Sequence, residues 1–354
     1  MISTPPKGRG ALSNRSGRYE AHAREAFDDG WDLPEDSRPL TTTVTFDHTK
    51  TILTRNDSPD IPFDQSINPY RGCEHGCSYC FARPTHAYLG LSPGLDFETK
   101  LIAKPDAAAL LRKELARPSY VCSPIAMGTN TDPYQPIERE HRITRSILEV
   151  CLEHDHPVSI VTKSANVLRD LDLLQQLAQK HLAIVFLSVT SLDRELAGKL
   201  EPRASRPHRR LDAIGALAEA KVPVGVLSSP MIPGLNDHEM EAILEAARGR
   251  GAAQAGYTLL RLPLEIKELF TEWLQEHVPD RAERVLSLIR QTREGKLYDS
   301  RFGVRGRGIG PYADLLERRF ELTMQRLGFG RERMPLDTTR FRKPAPPTSQ
   351  LALF

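Results

Sequence analysis

The stretch "PVSIVTKSANVLRDLDLLQQLAQKHLAIVFLSVT" (157–190) carries two periodicities side by side. "PVSIVTKS" (157–164) and "LAIVFLSVT" (182–190) are short β-branched apolar runs, and "NVLRDLDLLQQLAQK" (166–180) between them has the spacing of an amphipathic helix. Strand, helix and strand in that order form a βαβ unit, whose two strands run parallel. The alternation extends both ways. Upstream lie "KPDAAALLRKELA" (104–116), "SYVCSPIAMGT" (119–129) and "ITRSILEVCLEH" (143–154). Downstream lie "PHRRLDAIGALAEA" (207–220), "VPVGVLSSPMI" (222–232), "DHEMEAILEAARG" (237–249) and "AGYTLLRLP" (255–263). With an opening strand near "INPY" (67–70), six units are expected. Right-handed crossovers curl six such units into an open barrel or a wound sheet, with ligand chemistry at the C-terminal strand ends.

Beyond 265 the pattern turns helical: "LEIKELFTEWLQEH", "AERVLSLIRQTREG" and "YADLLERRFELTMQRLG", with "RFGVRGRGIGPY" (301–312) between the last two. The expected division is an irregular, at best partly ordered extension (1–60), an α/β unit (61–265), a helical cap (266–343) and a flexible tail (344–354). The 354-residue chain has net charge +2, which demands no polyanionic partner globally. Residues 301–343, however, hold 11 basic and 5 acidic side chains, a local +6. That suits either a nucleic-acid-facing surface or a solvated helix face. No apolar run approaches a membrane span, and the first twenty residues lack an export core, so a cytoplasmic protein is expected.

The five cysteines make a poor disulfide framework, because their number is odd and three of them fall in one short loop. In "NPYRGCEHGCSYCFARP" (68–84), Cys73, Cys77 and Cys80 follow the first expected strand, and Gly72 and Gly76 let the loop turn back on itself. Three converging thiolates suit a [4Fe–4S] cluster that keeps one iron open for a small molecule. The alternative is a Cys3His zinc site completed by His75 or His86.

The cysteine spacing, with Tyr79 as the aromatic before the third cysteine, together with the six units, resembles the radical S-adenosylmethionine (radical SAM) superfamily. The resemblance covers about residues 65–265. It implies a partial (β/α)6 TIM-type barrel, with SAM chelated on the open iron and cleaved by one electron to a 5′-deoxyadenosyl radical that abstracts hydrogen from a substrate. It implies a reductant such as flavodoxin or ferredoxin. It also implies SAM contacts from Tyr79 near the adenine and from Gly128, Thr129, Asn130, Thr131 and Asp132 at the methionine amino group. Lys163 and Ser188 fall where the carboxylate and ribose bind, Glu201 and Arg203 stand before a helix start, and Ile232 in "PMIPGLND" (230–237) lies at the adenine edge. Each of these residues taken alone also reads as an ordinary polar or turn residue. The motif series further resembles the branch of spore photoproduct lyase and proteins described as DNA repair photolyases, which implies a nucleic-acid substrate. Neither Cys122 nor Cys151 matches that lyase's hydrogen-returning cysteine, and both read as packing residues.

Arg301, Arg305 and Arg307, set among glycines beside Tyr298, Phe302 and Tyr312, combine phosphate-binding and base-stacking side chains, or form a lid paired to carboxylates. The readings left open are therefore an enzyme acting on nucleic acid, one acting on a protein or small molecule, and a non-catalytic zinc or electron-transfer module. The chain closes with Gln350, Leu351, Leu353 and Phe354 behind "RKPAPP" (342–347). This resembles the peptide with which bacterial repair proteins dock on the replication sliding clamp, and it equally reads as a segment covering its own core.

Overall fold

The computed structural model describes residues 7–20, 22, 40–330 and 334–344. Its strands are β1 (Thr43–Phe46), β2 (Thr54–Arg55), β3 (Gln65–Ile67), β4 (Tyr70–Arg71), β5 (Lys100–Ala103), β6 (Ile125–Met127), β7 (Val158–Thr162), β8 (Ala183–Ser188), β9 (Val224–Met231) and β10 (Gln254–Leu259). The larger sheet has the order β10-β9-β8-β7-β6-β3-β2. From β3 to β10 every neighbour pair is parallel and the strands follow chain order. This is the six-stranded α/β partial barrel that the alternating runs imply, with an antiparallel edge strand β2.

The strands are buried on both faces because helices cover the outside and loop residues fill the inside. Ile160, Val185, Leu187 and Val226 are fully buried in one continuous core with Leu174, Leu177, Ile214, Leu217, Ile243 and Leu244 of the covering helices. Within the expected strand run 119–129 only residues 125–127 are extended, since Pro124 cannot donate to a ladder. The helix expected over 166–180 begins as a 3-10 turn, Ala165–Asp170, capped by the Ser164 hydroxyl, and becomes α-helical at Leu171–Gln179.

Two pieces had no periodic signal. In the stretch expected to be irregular, β1 pairs parallel with β5, which pairs antiparallel with β4; this three-stranded sheet sets the base of the cysteine loop. A helix, Arg194–Leu200, capped by Asp193, lies between β8 and the loop 201–206. The cap is built from helices Ile266–His277, Pro279–Gln291 and Pro311–Leu327. The first two share a core with Cys77, Tyr79, Ile232 and Leu260. The third lies on the helix Met240–Gly249, tied by Arg319–Glu241 and Arg326–Glu245 pairs. Among the described residues no helix is long and apolar enough to cross a membrane. The clamp-like residues Gln350, Leu351, Leu353 and Phe354 lie outside the described residues.

Candidate cofactor site

The cysteine loop leaves β4 and is held by backbone bonds: Cys73 N to Phe97 O (3.0 Å), Cys80 N to Cys77 O (3.3 Å) and Ser78 N to Leu200 O (2.9 Å). Cys73 and Cys77 are buried and Cys80 is half-buried. Behind the loop, Arg83 and Glu98 form an ion pair with both side chains fully buried. Arg83 also donates to the carbonyls of Cys77 (2.9 Å) and Gly94 (2.9 Å), and Glu98 accepts the Gly10 and Ala11 amides at 3.0 and 2.8 Å. Every charge in this pair has its partners, which is what makes its burial tolerable; removing one partner would cost about 3–5 kcal/mol. The N-terminal segment thus walls the loop from outside. Arg9 reaches Glu98 O (3.1 Å), Leu40 O (2.7 Å) and Thr42 Oγ1 (3.1 Å), while Arg15 and Arg18 pair with Glu272 and Glu265 of the cap.

A second network joins the loop to the strand ends. Asp132, after β6, accepts from Thr162 Oγ1 (2.7 Å) and the Lys163 amide (2.7 Å) at the end of β7, and lies 3.3 Å from His75 Nδ1. Burial pushes its carboxyl up, but His75 and these hydrogen bonds outweigh that and hold it down at about 2. Asp132 therefore anchors three elements to one another. Asn68 organises the neighbouring turn: its Oδ1 takes the amides of Asn130 (3.0 Å) and Thr131 (3.3 Å), and its Nδ2 donates to Thr129 Oγ1 (3.0 Å). Gly128 has φ +90°, and a Cβ there would lie 2.0 Å from Val161 O, so only glycine lets this turn close on β7.

On the far side, Glu201 is fully engaged with Tyr79, Thr190 (2.6 Å) and Arg210, and Arg210 donates to Ser188 O (2.8 Å) and Ser205 O (2.6 Å). Glu201, expected near SAM, is buried here, and its carboxylate oxygens fix Tyr79 and the ends of β8 and β9. Arg203 pairs with Glu74 at 2.7 Å. Ile232 is buried, with its amide bound to Asn236 Oδ1 (2.6 Å) and its carbonyl accepting from Leu235 and Asn236, so its backbone groups close the turn. The Ser188 hydroxyl donates to Ser229 O (3.0 Å), leaving only acceptor lone pairs for a ligand. The Lys163 ammonium lies 5.9 Å over the Tyr79 ring, facing the cysteine loop, and has no carboxylate partner among the described residues. Of the expected contacts it is the one presenting a free charge.

The fit to a cluster rests on the thiols themselves. Burial raises the thiols of Cys73 and Cys77, and each lies close enough to Cys80 to be raised further by it. Cys80 packs with both Cys73 and Cys77, and three thiols gathered in one loop suit a cluster held by cysteine thiolates. His75 is turned to Asp132, and His86 faces Lys100 O (3.0 Å) and the Phe97 ring, so neither completes a zinc site. The residues that would hold the cluster are Cys73, Cys77 and Cys80. Cys122 and Cys151 sit in the barrel core, their thiols raised by burial to about 11 and about 12.

The radical SAM superfamily model matches residues 67–247, just over half of the chain. The chain belongs to the radical SAM superfamily, and its cofactors are accordingly a [4Fe–4S] cluster and S-adenosylmethionine. A protein of Mycobacterium tuberculosis, "Uncharacterized protein Rv2578c", is 36% identical over 233 residues, 65% of this chain and 68% of that one. "Uncharacterized protein MJ0683" of Methanocaldococcus jannaschii is 30% identical over 173 residues, 49% of this chain and 62% of that one. Among solved structures, spore photoproduct lyase complexed with dinucleoside spore photoproduct aligns with TM-score 0.56 and 19% identity, over 80% of this chain and 78% of that one. A variant of that lyase with bound AdoMet and the same dinucleoside gives TM-score 0.56 at 18% identity, with the same coverage. At that identity the likeness establishes the fold.

Proposed function

We propose that the protein is a radical SAM enzyme that abstracts hydrogen from a nucleic-acid substrate entering at the C-terminal ends of the barrel strands. The observation that carries this reading is the seat of the Gly/Arg loop. Leu259 N at the end of β10 donates to Gly306 O (2.8 Å), and Arg293 donates to Leu260 O, Val304 O and Arg305 O. The loop with Arg301, Phe302, Arg305 and Arg307 is thereby carried to the last strand's C-terminal end. Phe302 is 57% exposed and Arg305 stacks over its ring at 4.8 Å. Exposed aromatics among arginines suit bases and phosphates respectively. The lyase of similar fold binds a dinucleoside photoproduct, which supports the same substrate class here.

Cys73, Cys77 and Cys80 would hold the cluster, which would supply the electron for reductive cleavage of SAM. The chain's own part is to hold and screen. Lys163 offers its ammonium to the SAM carboxylate, the Thr129–Asn130 turn offers backbone groups, and Tyr79, locked by Glu201, forms the wall beneath. The reducing electron comes from a small carrier such as a flavodoxin or ferredoxin.

A second reading, a protein or small-molecule substrate, is favoured by one feature. Arg305 is bound to Asp60 (2.8 Å), Arg307 to Glu317, and Arg301 to Asp299 and Glu294, so the loop's charges are already met. The pairs of Arg301 with Glu294 and of Arg307 with Glu317 are exposed, weak and exchange readily for phosphate, whereas the Arg305–Asp60 pair is largely covered. The deciding experiment uses the reconstituted enzyme with SAM, reductant and deuterium-labelled, photodamaged DNA. Deuterium in 5′-deoxyadenosine is expected. SAM cleavage without transfer from any DNA substrate would move the reading to the second class.

A further inference from the structure

Arg261 stands two residues past β10, at the mouth of the barrel. Its guanidinium lies 4.8 Å from the centroid of the Phe81 ring, and Phe81, 42% exposed, directly follows Cys80. Among the described residues Arg261 has no ion pair or hydrogen bond, and its buried Nε has no partner. Most other arginines near the site are committed: Arg83 to Glu98, Arg210 to Glu201, Arg203 to Glu74, Arg305 to Asp60.

The surroundings sharpen the point. Arg293 is buried behind it and spends its guanidinium on four carbonyls, Thr292, Val304, Leu260 and Arg305. Burial lowers the Arg293 pKa, and the charge of Arg261 lowers it further. Of the acids close by, Asp299 is bound to Arg301, and Glu265, four residues on, is bound to Arg18 through Oε1 and keeps a buried Oε2 without a partner, yet neither pairs with Arg261 among the described residues. Arg261 as a whole is half-buried, and a guanidinium whose Nε is buried without a partner, beside a second cation, gains from an anion. Its planar fork, held flat against an aromatic face, matches two oxygens of one phosphate.

We propose that Arg261, seated on Phe81, is an anion-binding residue of the mouth that takes one phosphodiester of the substrate strand and so sets the adjoining base beside the cysteine loop. The inference rests on the nucleic-acid reading above and names the contact that reading lacks. The other anion at such a mouth is the SAM carboxylate. Lys163 faces that role from β7, three strands away from β10 in the sheet, which leaves Arg261 for the substrate.

The test measures binding of the full chain to a labelled single-stranded oligothymidylate across a salt series, and to the same strand with uncharged methylphosphonate linkages. Arg261→Ala is expected to weaken binding of the charged strand about tenfold and to reduce the salt slope by about one. The two proteins should bind the uncharged strand alike. Arg261→Lys, which keeps the charge and loses the fork, should fall between them, and it carries the test if the alanine variant fails to fold. If the wild type binds and both variants match it in affinity and slope, the inference is overturned while the nucleic-acid reading stands. If the variants bind DNA normally but need more SAM for its reductive cleavage, the anion is the SAM carboxylate and the inference is again overturned. If the wild type itself binds no strand, the nucleic-acid reading falls and this contact with it.

Discussion

Gly10 and Gly76 meet backbone to backbone: a Cβ on Gly10 would sit 1.6 Å from the Gly76 carbonyl oxygen. An N-terminal residue thus presses on the centre of the cysteine loop, between Cys73 and Cys77. Gly76 in turn, at φ +66°, would place a Cβ 2.6 Å from Glu98 Oε2. The loop is therefore shaped from behind by a segment more than sixty residues away in sequence.

Gly10→Ala is expected to push the 9–11 segment off the loop, costing about 1–3 kcal/mol as an overpacked site does. It should also lower the iron and sulfide retained after anaerobic reconstitution. Urea unfolding and metal analysis check the two effects. Wild-type stability and full cluster content in the variant would mean that the segment is a passive neighbour.

Lys163→Ala should leave cluster content unchanged and raise the SAM concentration needed for half-maximal cleavage about 10–100-fold, the value of a lost hydrogen bond to a charged group. Lys163→Arg should restore part of it. The measurement is 5′-deoxyadenosine release against SAM concentration under reducing conditions. An unchanged half-maximal concentration would remove Lys163 from the SAM site.

At the opposite, N-terminal end of the barrel, His156 is fully buried, bonded to the Tyr120 hydroxyl (2.7 Å) and packed on Phe341. Burial holds its pKa at about 4, below its ordinary 6.5. The unfolded chain takes up the proton first, so stability is complete above 6.5 and is lost as pH falls from 6.5 towards 4. The gap corresponds to about 3 kcal/mol. His156→Gln should flatten the fall in unfolding free energy between pH 7 and pH 4, measured by denaturant titration at each pH; an equally steep fall in the variant would place the titrating group elsewhere.

The clamp-like reading of the tail is a proposal with its own test: if the full chain binds a bacterial sliding clamp, removing residues 350–354 should abolish that binding and leave SAM cleavage at the full-length rate. Surface plasmon resonance against immobilised clamp and the cleavage assay read the two outcomes. A truncated chain that no longer folds would assign the tail to covering the core instead.

Local periodicity was enough to find the barrel, and the cysteine spacing singled out the candidate cluster ligands. Strand, helix and strand between 157 and 190 alternate because residues two apart or three to four apart share a face, and that is written in neighbouring positions. The three cysteines needed only their own spacing and two glycines. What the sequence could not determine was which polar residues at the strand ends stay open to a ligand. Glu201, Asp132 and Ile232 stand where a contact was expected, but Arg210 of the following helix, Thr162 with the Lys163 amide at the end of β7, and Asn236 of the same turn take up hydrogen-bonding capacity there. Lys163 and Arg261 form no ion pair with a carboxylate among the described residues. Likewise, nothing local in "GRGAL" (8–12) marks it as the back wall of the cysteine loop. Burial and pairing are properties of the assembled neighbourhood. They depend on residues tens to hundreds of positions apart, and only the tertiary structure brings those together.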